Sequence, residues 1–194
     1  MANMNFFKSE KTNTINNESK WKIIIADDEE DVHILTKTVL KNFKYKDKGI
    51  EFISTYNETD TISVLQEHND VAMILLDVVM DSDDAGLKVA KKIREELKND
   101  LIQIILRTGQ PGSAPETDIV INYAINDYKE KTELTSKKLI TTIVTALRSY
   151  TTLKSVESNK KGLQQIIDAS ETLYKKSSSH LLSQGILTQI LSLL

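Results

Sequence analysis

Polar residues stand at the ends of apolar, strand-like runs. Asp27 and Asp28 follow KIIIA, Asp77 follows VAMILL, Thr108 follows LIQIILR and Lys131 follows the more polar INDYKE. Clustered carboxylates suit a hard divalent cation that keeps several waters, and an ionised carboxylate can attack phosphorus to give an acyl phosphate. A threonine hydroxyl and a lysine ammonium can then hold oxygens of the transferred group. Three neighbouring carboxylates repel one another, and a divalent ion makes the cluster tolerable while keeping the nucleophile ionised. In this order the residues describe a magnesium-assisted, phosphate-accepting aspartate.

Such a site requires a frame that delivers several strand ends to one rim. Runs of β-branched and aliphatic residues without alternation read as strands buried on both faces, and segments of helical period separate them. This is the α/β pattern of a doubly wound parallel sheet with crossover helices. Ligands bind such sheets outside the carboxyl ends of the strands, where every residue named above falls.

The pattern predicts strands over 22–26, 50–54, 71–76, 101–107 and, more weakly, 126–130. A first helix presents Val32, Leu35, Val39 and Phe43 on one face. A second, over 58–68, presents Ile62 and Leu65, and a third carries Leu87, Ala90, Ile93 and Leu97. TGQPGSAPET marks a loop, and a short helix with Ile119, Val120 and Tyr123 is expected after it.

The chain has 194 residues and 40% hydrophobic content, enough for one domain and an extension. A formal net charge of -3 argues against a general nucleic-acid binder. The absence of cysteine excludes a disulfide framework and thiolate metal sites, which suits a cytoplasmic protein. No apolar stretch approaches the ~18 residues of a membrane span, so no membrane partner is expected. Residues 1–20, polar and without a signal-peptide core, are expected to be a disordered tail.

The stretch from Lys22 to about Tyr150 resembles the CheY-like receiver domain of bacterial two-component response regulators. Paired acids after strand one, an aspartate after strand three, Thr108 with Gly109 after strand four and a lysine after strand five carry the resemblance. It implies a flavodoxin-like sheet of order 2-1-3-4-5. It also implies that Mg²⁺ is held by Asp28, Asp77 and the Val79 backbone carbonyl, with Asp27 acting through a water. Asp77 would take its phosphoryl group from a histidine kinase or histidine phosphotransfer protein. Thr108 and Lys131 would bind that group, and Tyr128 would fill the space Thr108 vacates. On this reading the protein is a signal-transfer module and no enzyme, apart from self-dephosphorylation that Gln110 would influence.

Departures from the receiver pattern are local. Met80 is followed by Asp81 where proline is usual, Gly86 comes one position late, and Thr132 replaces the proline after Lys131. The acidic run Asp81 to Asp84 lacks calcium-loop spacing and reads as helix capping. His33, His68 and His180 have no metal spacing and read as surface or packing residues. Two other readings remain: a haloacid-dehalogenase-like phosphohydrolase, which would place its nucleophile after strand one, and a receiver-like scaffold that is not phosphorylated.

Beyond the receiver, assigned to 21–150, residues 151–194 form a helical linker or dimerisation extension. Leu139, Ile143, Leu147, Tyr150 and Leu153 trace an apolar stripe whose phase slips before Val156, Leu163, Ile167, Ser170 and Tyr174. KSVESNKKG, with Gly162, is expected to act as a hinge, and SSSH to break the helix. The apolar end, LLSQGILTQILSLL, calls for a partner: it can pack back on the preceding helix, form a homodimer or open a further signalling domain, and the last two together are expected. No DNA-reading motif is present, which disfavours a transcription-factor output.

Overall fold

The computed structural model describes residues 20–109, 120–121, 123–131 and 135–192. The N-terminal tail up to residue 19, Gln110, Ile119 and Thr132 lie outside them. Parallel strands β1 (Trp21–Ala26), β2 (Ile50–Thr55), β3 (Val71–Asp77), β4 (Gln103–Thr108) and β5 (Asp127–Glu130) form a sheet of order β2-β1-β3-β4-β5. The helices are α1 (Glu30–Leu40), α2 (Glu58–Glu67), α3 (Ala85–Glu95) and α4 (Ser136–Leu191). This is the expected doubly wound α/β architecture with a C-terminal helical extension.

Successive strand side chains point to opposite faces, so β1, β3 and β4 serve two cores. Ile24, Ile74, Leu76, Ile104 and Leu106 pack with Leu65, Val89 and Ile93 from α2 and α3. Ile23, Ile25, Met73, Leu75 and Ile105 pack with Leu40 of α1 and with Leu139, Ile143, Leu147 and Tyr150 of α4. Both faces are covered, which is why these strands read as continuous apolar runs.

The polar β5 is a strand because its neighbour supplies the ladder. Asn126 Oδ1 accepts the Ile104 N–H at 2.7 Å, its own N–H donates to the Ile104 carbonyl at 2.9 Å, and its amide donates to Gln103 Oε1 at 2.8 Å. Tyr128 is half-buried, pairs in register with Leu106 and packs against the first core.

Two local expectations are corrected. The buried residues of α1 are His33, Thr36 and Leu40, whereas Leu35 is 63% exposed. His33 is drawn inward by two hydrogen bonds that a hydrophobic pattern does not register. The second correction is that α4 runs as a continuous helix through Gly162 and through residues 177–180. Glycine costs a helix only about 1 kcal/mol relative to alanine. The bonds Lys161–Glu157 and Gln164–Asp168, both 2.8 Å, support the turns on either side of it.

The acidic run caps α2 rather than α3. Asp81 Oδ1 accepts the Glu58 N–H at 3.3 Å, while Asp84, at the α3 N-cap, makes no side-chain cap bond and pairs with Lys88 at 2.7 Å. No described helix is long and apolar enough to cross a membrane.

Candidate functional site

Parallel pairing brings the strand ends to one rim, with Ala26 beside Leu76, Asp77 beside Arg107 and Thr108 beside Glu130. Asp27 and Asp28 leave β1, Asp77 ends β3, Thr108 ends β4 and Lys131 follows β5. Asp27, Asp28 and Asp77 each offer a carboxylate oxygen, and these atoms lie within 4.8 Å of one another. Asp27, Asp77 and Thr108 are buried, and Asp28 faces solvent. Val79, just past Asp77, is half-buried against the first core.

Two cations enter this acidic cluster. Lys131 Nζ stands 3.0 Å from Asp77 Oδ2, 3.2 Å from Asp27 Oδ1 and 2.7 Å from Glu29 Oε1. Arg107, 3% exposed, donates from Nη2 to Asp27 Oδ2 at 3.2 Å. Asp27 Oδ1 also accepts the Glu29 backbone N–H at 3.1 Å. His33 Nε2 lies 2.8 Å from the Asp27 carbonyl. A carbonyl only accepts, so Nε2 carries the proton, and Nδ1 faces Ser54 Oγ at 2.9 Å. Of the surface and packing roles open to His33, burial leaves packing, with the added task of fixing the Asp27 backbone.

The electrostatics follow from burial. Removal from water raises the Asp77 carboxyl above the ordinary aspartate range, and the nearby Lys131 only partly opposes this. Burial also works against charge on Lys131, yet the bonds to Glu29 and Asp77 outweigh it and hold the ammonium above the ordinary lysine range. The hydrogen bond from Lys131 lowers the Glu29 carboxyl.

Asp77 Oδ1 is buried and has no hydrogen-bond partner among the described residues. An ionised oxygen left bare in this way is costly. Three convergent carboxylates, one with an unsatisfied oxygen, fit a hard divalent cation. Gly86 makes the rim possible: a Cβ there would meet the Asp77 carbonyl oxygen at 2.0 Å, and its N–H donates to the Val78 carbonyl at 3.0 Å.

Sequence reasoning passed over Arg107 and Glu29. A charged residue inside a strand buried on both faces is rarely tolerated without a charged partner. Arg107 in LIQIILR carried that signal.

The receiver domain of a LuxO repressor protein from Vibrio parahaemolyticus superposes with a TM-score of 0.56 at 20% identity, covering 72% of this chain and 98% of its own. A CheY-like receiver domain protein from Methanospirillum hungatei JF-1 gives 0.56 at 23% identity, covering 69% and 99%. This chain has the fold of a CheY-like receiver. The resemblance drawn from the residues at the strand ends is borne out at the level of fold.

The chain is also 39% identical, over 180 residues, to 3'3'-cGAMP-specific phosphodiesterase 2 of Vibrio cholerae serotype O1 (strain ATCC 39315 / El Tor Inaba N16961). The match covers 93% of this chain and 34% of that protein, so the chain spans about a third of its curated relative. This relative overturns the expectation of a protein with no enzymatic role. Residues 143–194, most of α4, match a family described as a domain of unknown function (DUF3369).

Proposed function

We propose that residues 21–150 are a phosphoacceptor receiver whose state controls hydrolysis of a cyclic dinucleotide by the protein that carries it. The observation that carries the acceptor role is the buried, unpartnered Oδ1 of Asp77, set among two further carboxylates and a lysine. The phosphodiesterase role rests on the cGAMP-specific relative.

A carboxylate oxygen of Asp77 attacks the phosphorus of a phosphohistidine on a kinase or phosphotransfer protein. The new O–P bond forms as the P–N bond breaks, and its electron pair returns to the imidazole. Mg²⁺, held by Asp28, Asp77 and the Val79 carbonyl with Asp27 acting through water, would neutralise phosphoryl oxygens. Lys131 turns from Glu29 and Asp27 toward the phosphoryl group, and Thr108 donates its hydroxyl to another of its oxygens. Tyr128 then moves inward at the β4–β5 edge, a two-state change of the kind that added phosphate charge drives.

Helix α4 connects this edge to the remainder of the protein. Past Tyr150 it exposes Leu153, Val156, Leu163, Ile166 and Ile167, and farther on Ile186, Leu187, Ile190 and Leu191. A helix of this length with uncovered apolar residues gains stability chiefly from tertiary contact, which supports a homodimer in the cytoplasm through the extension 151–194. The isolated aspartate ends β3 and not β1, so the haloacid-dehalogenase-like alternative is not favoured.

The test is incubation with Mg²⁺ and acetyl phosphate, followed by intact-protein mass measurement. One added phosphoryl group in the wild type and none in Asp77→Asn is the expected result. Absence of any adduct would favour the scaffold reading, and continued turnover of the donor a phosphohydrolase.

A further inference from the structure

We propose that Arg107 is a fixed internal counter-charge that holds Asp27 away from direct metal ligation and weakens the site's hold on a divalent cation. The inference rests on the phosphoacceptor reading above and concerns a residue outside the expected acceptor, switch and metal set.

Arg107 enters the cluster from below. It stands next to Asp77 in the parallel register and borders a cavity of about 220 Å³ between α1 and α4, shared with Val32, Thr36, Val39, Leu139 and the charged Lys131. Among the described residues its Nε is buried and unpartnered, and its Nη2 is bonded to Asp27. A guanidinium so desolvated is costly unless it neutralises a neighbouring charge.

The consequence for Asp27 is geometric. Oδ2 is taken by Arg107, and Oδ1 by Lys131 and the Glu29 N–H. Both oxygens face protein donors, leaving Asp28 and the bare Oδ1 of Asp77 to hold a cation directly.

The consequence for charge is equally direct. Asp27, Asp28, Glu29 and Asp77, when ionised, carry four negative charges against the positive charges of Arg107 and Lys131, a balance of -2. Loss of Arg107 makes it -3 and strengthens the attraction for a dication.

The two cations have separate tasks. Lys131 has a 17% exposed side chain on a flexible stem and can follow a phosphoryl group, whereas Arg107 is 3% exposed and locked in place. When Lys131 leaves for the phosphoryl group, Arg107 keeps the buried Asp27 paired. Arg107 therefore acts in two ways, by holding Asp27 Oδ2 and by placing a fixed positive charge beside the other carboxylates.

Calorimetric titration with Mg²⁺ tests this on wild type, Arg107→Gln and Arg107→Lys. Arg107→Gln keeps a donor near Asp27 and removes the charge, and it should bind Mg²⁺ about tenfold more tightly. Arg107→Lys should return toward the wild-type affinity. Equal or weaker binding by Arg107→Gln overturns the proposal. If Arg107→Gln does not unfold cooperatively, Asp27→Asn is compared with Asp27→Asn/Arg107→Gln, in which no buried charge is left unpaired. There, removal of the arginine charge should still tighten binding, and no change overturns the proposal. A wild type that neither binds Mg²⁺ nor takes phosphate from acetyl phosphate defeats the Asp77 reading itself. A wild type that does both, with unchanged affinity in the arginine variants, defeats the Arg107 role alone.

Discussion

Lys131 Nζ stands 3.0 Å from Asp77 Oδ2, joining the end of β5 to the end of β3 across the intervening β4. The contact couples the acceptor to the sheet edge that carries Tyr128. It also opposes the effect of burial on the Asp77 carboxyl. In Lys131→Met the Asp77 carboxyl should titrate at still higher pH, because desolvation then acts with less opposition. Carbon-detected NMR of the side-chain carboxyls would follow this. Acetyl phosphate should still modify the variant, but the shifts of Thr108 and Tyr128 that accompany modification should be lost.

Asp77 should lower the stability of the metal-free fold. Its folded-state pKa is raised, mainly by burial. The folded state therefore binds more protons than the unfolded chain between the ordinary aspartate pKa and the raised one, and stability falls as pH rises through that window. Asp77→Asn removes the buried charge and should stabilise the protein at neutral pH, with a flatter stability profile above the ordinary aspartate range. Urea unfolding at several pH values without Mg²⁺ checks both. A variant less stable than wild type at neutral pH would mean that the Lys131 pair outweighs desolvation.

Gly86→Ala places a methyl group against the Asp77 carbonyl oxygen, an approach of 2.0 Å that the backbone must relieve. The cost should be about 3 kcal/mol or more, at the upper end for a single substitution. Chemical denaturation measures it. Gly162→Ala, with nothing within 4 Å of the added atom, should be neutral or stabilising by up to about 1 kcal/mol.

If α4 associates with a second copy, a charge on its uncovered face should separate the copies. Leu163→Lys and Ile167→Lys, at positions 60% and 44% exposed in the single chain, should each weaken association by at least about tenfold. Helix content at low concentration should fall as well. Light scattering coupled to gel filtration, together with circular dichroism, measures these effects. A wild-type chain that stays monomeric at all concentrations would remove the homodimer from the account.

The periods of the sequence were sufficient for most of the frame. KIIIA, VAMILL and LIQIILR have no polar face, and only a sheet covered on both sides accommodates such strands. The paired acids, Asp77, Thr108 and Lys131 were legible because they interrupt those runs at their ends. NDYKE was a weaker signal because its strand character resides in Asn126 and the free edge of β4, a partner 22 residues away. The inward turn of His33 escaped for a similar reason, since hydrogen bonds to Ser54 and to the Asp27 carbonyl decide it.

Alone, the sequence determined the α/β alternation, the rim on which the chemistry-bearing residues gather and the apolar character of the long final segment. These depend on local periodicity and on where polar residues punctuate it. Tertiary structure alone decided that α4 runs unbroken, that Arg107 reaches Asp27 beneath the rim and that Asp77 keeps one bare oxygen. Charge pairing and desolvation depend on distances across strands far apart in the chain, and no periodicity encodes those distances.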